Sequence, residues 1–260
     1  MPQYDGCMAR FKVGVQLHPQ HTSVKALRDA WRAADALGAD SLWVWDHFYP
    51  LYGDRNGAHF EAYTLLSAMA VDTSHAHLGA MVTGGGYRNP DLLADMARTI
   101  DHLSGGRFIL GIGSGWFERD YREYGYDFGT RGSRLRALEG ALQRIKRRLA
   151  KLNPPPMGKL PILIGGGGEK VTLRLVAQYA DAWNTFPPAS GYAHKMKVLD
   201  EWCAKLGRNP AEIERTIEVR PDQMDQVEDC VKAGAQHLIM EIGQPFDLKP
   251  VEELIKMSGR

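Results

Sequence analysis

Short runs of β-branched and other apolar residues alternate along the chain with longer stretches in which apolar residues return every three or four positions. The first kind reads as buried strand, the second as amphipathic helix. Strands are predicted near 12–17, 41–45, 77–82, 107–112, 161–164, 182–185, 214–219 and 237–241. Helices are predicted near 23–37, 62–72, 91–103, 133–150, 170–180, 192–206, 223–233 and 250–257. In the first helix Leu27, Trp31, Ala34 and Leu37 make the apolar stripe, with Arg28, Asp29, Arg32 and Asp35 between them. Eight strand–helix pairs in alternation predict an α/β fold, a parallel sheet closed as a TIM (β/α)8 barrel. The barrel is expected over residues 11–260 as one domain, behind an N-terminal extension of residues 1–10.

Local punctuation supports these boundaries. Asn89-Pro90-Asp91 has a capping side chain followed by a proline in the first turn, which opens the third helix, and Ser104-Gly105-Gly106 closes it. Gly38 and Gly234 likewise stand where helices end.

Composition narrows the function classes. With 44% hydrophobic and 24% charged residues among 260, the chain has an ordinary globular balance and enough apolar residues for a sizeable core. A formal charge of +1 supplies no global field for nucleic acid or an anionic membrane, so neither is expected as a partner. The run Arg144, Lys146, Arg147, Arg148 and Lys151 lies on one predicted helix and reads as a solvated face. Cys7, Cys203 and Cys230 are far apart and match no metal spacing; a reduced cytoplasmic setting and no metal are expected. No apolar run suggests a membrane span or a signal peptide, and Met8, just before the first strand, is an alternative start to Met1.

In a TIM barrel the chemistry sits at the C-terminal ends of the strands. Here those ends carry Gln16-Leu17-His18, Asp46-His47, Thr83-Gly84-Gly85-Gly86-Tyr87-Arg88, Gly113-Ser114-Gly115-Trp116 and the four glycines Gly165, Gly166, Gly167 and Gly168. The glycine run follows an apolar strand and precedes a helix, the arrangement in which bare backbone N–H groups cradle a phosphate. The other use of such a run is a close-packed turn.

The chain resembles the bacterial luciferase-like monooxygenase superfamily and, within it, the oxidoreductases that use the deazaflavin coenzyme F420. The resemblance runs through Trp45-Asp46-His47-Phe48, Leu78–Thr83, Tyr87-Arg88-Asn89-Pro90, Asp101–Arg107, Leu110–Trp116 and Ile164–Glu169, across roughly residues 11–185. It implies a cofactor across the barrel mouth, its ring near strands two to four and its phosphate on the loop after strand five. Asp46 would contact the ring region and His47 would stand near the reacting carbon. Ala80-Met81 would be a non-proline cis peptide that buttresses the ring, and Thr83, Gly113, Gly115, Trp116, Glu118 and Arg119 would line the cofactor site with Gly165–Gly168.

If His47 faces the ring, an imidazole suits it to exchanging a proton with substrate while hydride moves. Its other reading is a strand-capping histidine. His18, His21 and His59 are candidate substrate-pocket residues. Compared with the resembled family, this chain is short at Lys151–Leu160 and at Arg220–Gln223, so a trimmed lid is expected.

The function expected first is hydride transfer between F420 and a small organic substrate. An FMN-dependent monooxygenase fed by a separate reductase is the alternative, and a non-catalytic flavin- or deazaflavin-binding protein is a second one. A homodimer is the expected assembly. The expected partners are a small-molecule substrate and, through the diffusible cofactor, a separate cofactor-reducing enzyme.

Overall fold

In the computed structural model residues 9–260 are described; the expected extension therefore lies outside them for residues 1–8, as do Cys7 and Met8. Eight strands form one closed parallel barrel in sequential order. They are β1 Lys12–Leu17, β2 Ser41–Asp46, β3 His77–Gly84, β4 Phe108–Gly113, β5 Ile162–Gly165, β6 Ala182–Thr185, β7 Glu214–Val219 and β8 His237–Ile242. Closure is made by β1 against β8, paired from Lys12 with His237 to Leu17 with Ile242. The helices are α1 Val24–Ala36, α2 Ala62–Asp72, α3 Pro90–Leu103, α4 Glu118–Glu123, α5 Arg131–Leu149, α6 Thr172–Tyr179, α7 Ala189–Leu206, α8 Val227–Lys232 and α9 Lys249–Met257.

The local signals act as their chemistry requires. Asn89 accepts from the Asp91 N–H at 2.9 Å and opens α3, while Gly38, Gly105 and Gly234 take positive φ where helices turn back toward strands. The stripe of α1 buries Leu27, Ala30, Trp31 and Ala34 against the sheet, whereas Leu37, expected as its last member, stands exposed at the C-cap where the helix has ended. Several helix starts move: α5 begins at Arg131 and α7 at Ala189, ahead of their predicted starts, while α6 begins at Thr172 and α8 at Val227, behind theirs. α4 was not predicted. Its sequence ERDYRE is only six residues long and almost wholly polar, too little for a helical apolar period to register.

The apolar core is split by the barrel wall. Most of it lies between strands and helices, and a smaller cluster of Trp43, Met81, Leu163, Ala182 and Ile239 fills the barrel interior. Below that cluster a polar plug closes the N-terminal end. Ser41 Oγ meets His237 Nε2 at 2.9 Å, and Glu214 lies 3.2 Å from His237 Nδ1 and 3.0 Å from Lys12 Nζ. Gly14 is required beside this plug, because a Cβ there would run into Ser41, His237 and Ile239. Above the cluster the strand ends open into a cavity.

Candidate active site

The cavity has a volume of about 420 Å³, and all eight strands contribute to its wall from within their own spans, β4 and β5 through their last residues, Gly113 and Gly165. Its apolar side is Trp45, Met81 and Val82; Phe186 and Trp116 stand at its rim, both well exposed. Consecutive residues Met81 and Val82 both reach it because the strand pairing of β3 is irregular on both edges, between Gly79 and Thr83 toward β4 and between Val44 and Asp46 toward β2. The non-proline cis peptide lies within this irregular stretch at Met81–Val82, one bond beyond the expected Ala80–Met81. A residue-level register inside a bulge is not fixed by motif alignment, and Ala80 is buried behind the wall.

His47 lines the cavity and is held from behind. Its Nδ1 lies 2.7 Å from Asp120 Oδ2, and Asp120 is wholly buried. The same carboxylate takes the Tyr87 hydroxyl at 2.8 Å on Oδ2 and the Phe48 N–H at 3.2 Å on Oδ1. Burial, reinforced by Asp120, raises the Tyr87 hydroxyl far above its ordinary range, so it remains a donor. Two donors besides the imidazole keep Asp120 an acceptor toward Nδ1–H. That fixes the tautomer and leaves Nε2 as the nitrogen available to a substrate.

Adjacent Asp46 points the other way, as strand alternation demands. It does not line the cavity; its carboxylate is wholly buried and takes two bonds from Arg88, at 2.5 and 3.1 Å. Arg88 also reaches Glu61 at 2.6 Å, and Glu61 caps α2 through the N–H groups of Tyr63 and Thr64. Burial works against the guanidinium charge, but the attraction of Asp46 prevails and holds Arg88 above its ordinary range. The expected ring contact of Asp46 is thus replaced by a structural ion pair beneath the site. Thr83 does line the cavity, with its hydroxyl 2.7 Å from that of Tyr63.

The other candidates divide by position. Gly113, Gly115, Trp116, Gly165 and Gly166 line the cavity; Gly167 and Gly168 line a neighbouring hollow with Arg131, Lys170 and Thr172. Glu118 and Arg119 face elsewhere. Glu118 pairs with Arg122 at 2.7 Å, and Arg119 lies over the Tyr49 ring at 3.9 Å and donates to Asn56. Helical phase explains this: on α4 it is Asp120, one residue further, that turns inward.

None of the three candidate pocket histidines lines the main cavity. His18 stacks on Trp45 with ring centroids 4.3 Å apart, His59 accepts the Trp45 indole N–H at 3.0 Å, and His21 bonds the Tyr52 carbonyl at 2.9 Å. Burial, and secondarily the nearness of His47, lowers His59 to about 4, which suits an acceptor. They support the wall.

At the glycine loop Gly166 has φ +117°, open to glycine alone, and its N–H goes to the Asn184 carbonyl at 3.0 Å. The carbonyls of Gly166 and Gly167 are bound by Trp183 and Lys195, at 2.8 and 2.7 Å, which turns the loop's oxygens away. The N–H groups of Gly167, Gly168, Glu169 and Lys170 have no protein acceptor among the described residues. Free donors at a helix start with Arg131 and Lys170 beside them make an anion cradle.

Sequence reading missed Asp120 and also Asn184, Glu218 and Glu241, which line the cavity from β6, β7 and β8. A signal existed. Glu218 in TIEV and Glu241 in LIMEI are single acids near the ends of otherwise apolar strands, where a barrel puts its functional groups. Among the described residues no cluster is placed to hold a metal ion, and no helix is long and apolar enough to cross a membrane.

A family model described as luciferase-like monooxygenase matches residues 6–240. A phthiodiolone/phenolphthiodiolone dimycocerosates ketoreductase of Mycobacterium tuberculosis is 30% identical over 239 residues, covering 77% of this chain and 62% of the ketoreductase. The chain therefore spans less than two thirds of that relative. An F420-dependent secondary alcohol dehydrogenase, solved with an F420-acetone adduct, shares the fold with a TM-score of 0.85 at 16% identity, over 96% of this chain and 99% of the other. The FMN-bound oxygenating constituent of 3,6-diketocamphane monooxygenase from Pseudomonas putida shares it with a TM-score of 0.74 at 15% identity, over 96% and 97%.

Proposed function

Because this chain belongs to the luciferase-like monooxygenase family, we propose that it is an oxidoreductase that uses coenzyme F420 to interconvert a carbonyl and an alcohol on a small organic substrate. The observation that carries the reading is the His47–Asp120 pair, a buried, oriented imidazole with one nitrogen left for the cavity.

The residues fit such a cofactor. The donors of Gly167–Lys170 supply a phosphate cradle, and Arg131 and Lys170 lie beside it. Glycines at 113 and 165 clear the wall above Val82, since a Cβ at either would come within about 3 Å of the Val82 side chain. Met81, Val82 and Thr83 would support the ring. When bound, the deazaflavin supplies or takes a hydride and does not activate oxygen.

The chain's own part is proton management. In alcohol oxidation His47 Nε2 takes the hydroxyl proton, and Asp120 stabilises the imidazolium that results; in carbonyl reduction the same nitrogen returns it. Trp45 and Met81 exclude water from one side of the reacting carbon. Reduced or oxidised cofactor is renewed by a separate enzyme through diffusion, and the working assembly is a homodimer.

Fluorescence titration with F420 and FMN, followed by turnover of small secondary alcohols and ketones, tests the proposal. Tighter binding of F420 is expected, with His47→Ala keeping cofactor affinity within a few-fold while turnover falls by roughly 10²–10⁴. Binding of FMN alone, with rapid oxygen consumption by the reduced form, would replace this reading with the monooxygenase. Tight F420 binding without turnover on any substrate would leave a cofactor-binding protein.

A further inference from the structure

The cavity is asymmetric in charge. Its β2–β3 side combines Trp45, Met81 and Val82 with His47 and Thr83 and carries no carboxylate, but the opposite side, from β6 through β8 to β1, is a polar layer of Asn184, Glu218, Glu241 and Gln16. Register puts the last three together: Gln16 pairs with Glu241 across the barrel seam, and Glu218 pairs with Ile239, two residues before Glu241 and therefore on the same inward face. Ile239 belongs to the barrel-interior cluster, which confirms the direction of that face.

Glu218 is 3% exposed, and what exposure it has is to the cavity. Its neighbour Gln16 gives one amide N–H to the Met81 carbonyl at 3.0 Å and hydrogen-bonds Glu218 as well, a neutral partner that brings no positive charge. The amide of Asn184 is committed to Thr216 at 2.9 Å. His18 approaches Glu241 from outside the cavity at 3.7 Å, beyond hydrogen-bond distance, with its Nε2 buried and unpartnered. No lysine or arginine lines the cavity. A carboxyl buried without an ionic partner bears its charge only at a cost, and a cation entering the cavity would relieve that cost.

We propose that Glu218 and Glu241 form a recognition subsite for a protonated amine, so that the preferred substrate is an amino alcohol or amino ketone. The inference rests on the oxidoreductase reading for the reaction, and on the cavity alone for the binding. The ammonium group would sit on the β7–β8 side while the carbinol carbon faces His47. On oxidation the C–H hydride passes to oxidised deazaflavin, the hydroxyl proton passes to His47, and the C=O bond forms. Burial raises the Glu218 carboxyl well above its ordinary range, with the Glu241 charge adding to the effect and the Gln16 hydrogen bond opposing it, so the neutral acid is favoured until an ammonium group arrives to hold the charge.

Three isosteric probes, isopropanolamine, sec-butanol and propylene glycol, separate charge from shape, and lactate adds the opposite charge. With F420, kcat/KM for isopropanolamine is expected to exceed that for sec-butanol by at least about tenfold, with lactate below sec-butanol, as charge-assisted hydrogen bonding requires. Glu218→Gln, and separately the less buried Glu241→Gln, should each shrink the isopropanolamine to sec-butanol ratio by about tenfold. Calorimetry on the cofactor-free protein should show isopropanolamine binding that either variant weakens. Equal kcat/KM for all probes, an equal preference for propylene glycol, or a ratio unchanged in both variants would overturn the proposal. Absence of turnover on every probe, with calorimetric binding of isopropanolamine intact and sensitive to Glu218→Gln, removes the oxidoreductase reading and upholds this one.

Discussion

Asp120→Asn removes the charge that orients His47 and changes little else in volume. Three donors converge on that carboxylate, from His47 at 2.7 Å, Tyr87 at 2.8 Å and Phe48 at 3.2 Å. A hydrogen bond to a charged group contributes about 1.5–3 kcal/mol. At about 1.4 kcal/mol per factor of ten, loss of the one that holds the imidazole lowers turnover by roughly 10- to 150-fold. Because Asp120 does not line the cavity, KM and cofactor affinity should stay within a few-fold, which separates orientation from binding. The assay is steady-state kcat and KM with F420, beside cofactor titration by fluorescence. Adding Asp120→Asn to His47→Ala should cost nothing further, since the two act as one unit. A folded Asp120→Asn protein with kcat within two-fold of the parent, or a double variant slower than His47→Ala by the full single-variant factor, would refute the argument.

Gly167→Val should weaken cofactor binding at least about tenfold while sparing the fold, because a branched side chain there would displace Lys195 from the Gly167 carbonyl and crowd the bare N–H groups of the loop; fluorescence titration reads it, and unchanged affinity places the phosphate elsewhere. Arg88→Met leaves the Asp46 carboxylate buried without its partner and should destabilise the protein by about 3–5 kcal/mol in urea unfolding; a loss under about 1 kcal/mol would show the pair to be dispensable. Glu214 is a pH probe: burial raises its carboxyl, but His237 and Lys12 outweigh that and bring it from 4.5 down to about 2. Its stabilisation is therefore present above pH 4.5 and lost as pH falls toward 2, up to roughly 3 kcal/mol in all. Glu214→Gln should accordingly narrow the stability gap between neutral pH and about pH 3, as read by denaturant unfolding at both; an unchanged gap would exclude the assignment.

The barrel was legible because its signals are local and repeated. Each strand is a short apolar run and each long helix carries a stripe such as Leu27, Trp31 and Ala34, so neighbours in sequence report their own environment. The glycine loop after β5 was legible for the same reason, as was the placement of His47 at a strand end. What was lost depends on contacts between distant segments. Asp46 and His47 are adjacent, yet only the positions of Arg88 and Asp120 decide that one is a buried counter-ion and the other the cavity group. Glu118 and Arg119 were one helical step from the residue that matters, on a helix too short to show its phase.

The segment that carries Asp120 is not part of the barrel ladder. α4 has no side-chain cap at its N-terminus, and ring contacts help to fasten it: Phe48 stacks on Tyr124 at 4.2 Å, Tyr87 lies tilted against Tyr121 at 5.0 Å and Tyr121 meets Phe128 edge-on at 5.1 Å. Such a unit opens on its own account, with a free energy below that of the whole domain. Warming should therefore abolish the proposed turnover before the barrel melts, with activity lost reversibly at temperatures where the far-ultraviolet circular dichroism of the barrel is still native.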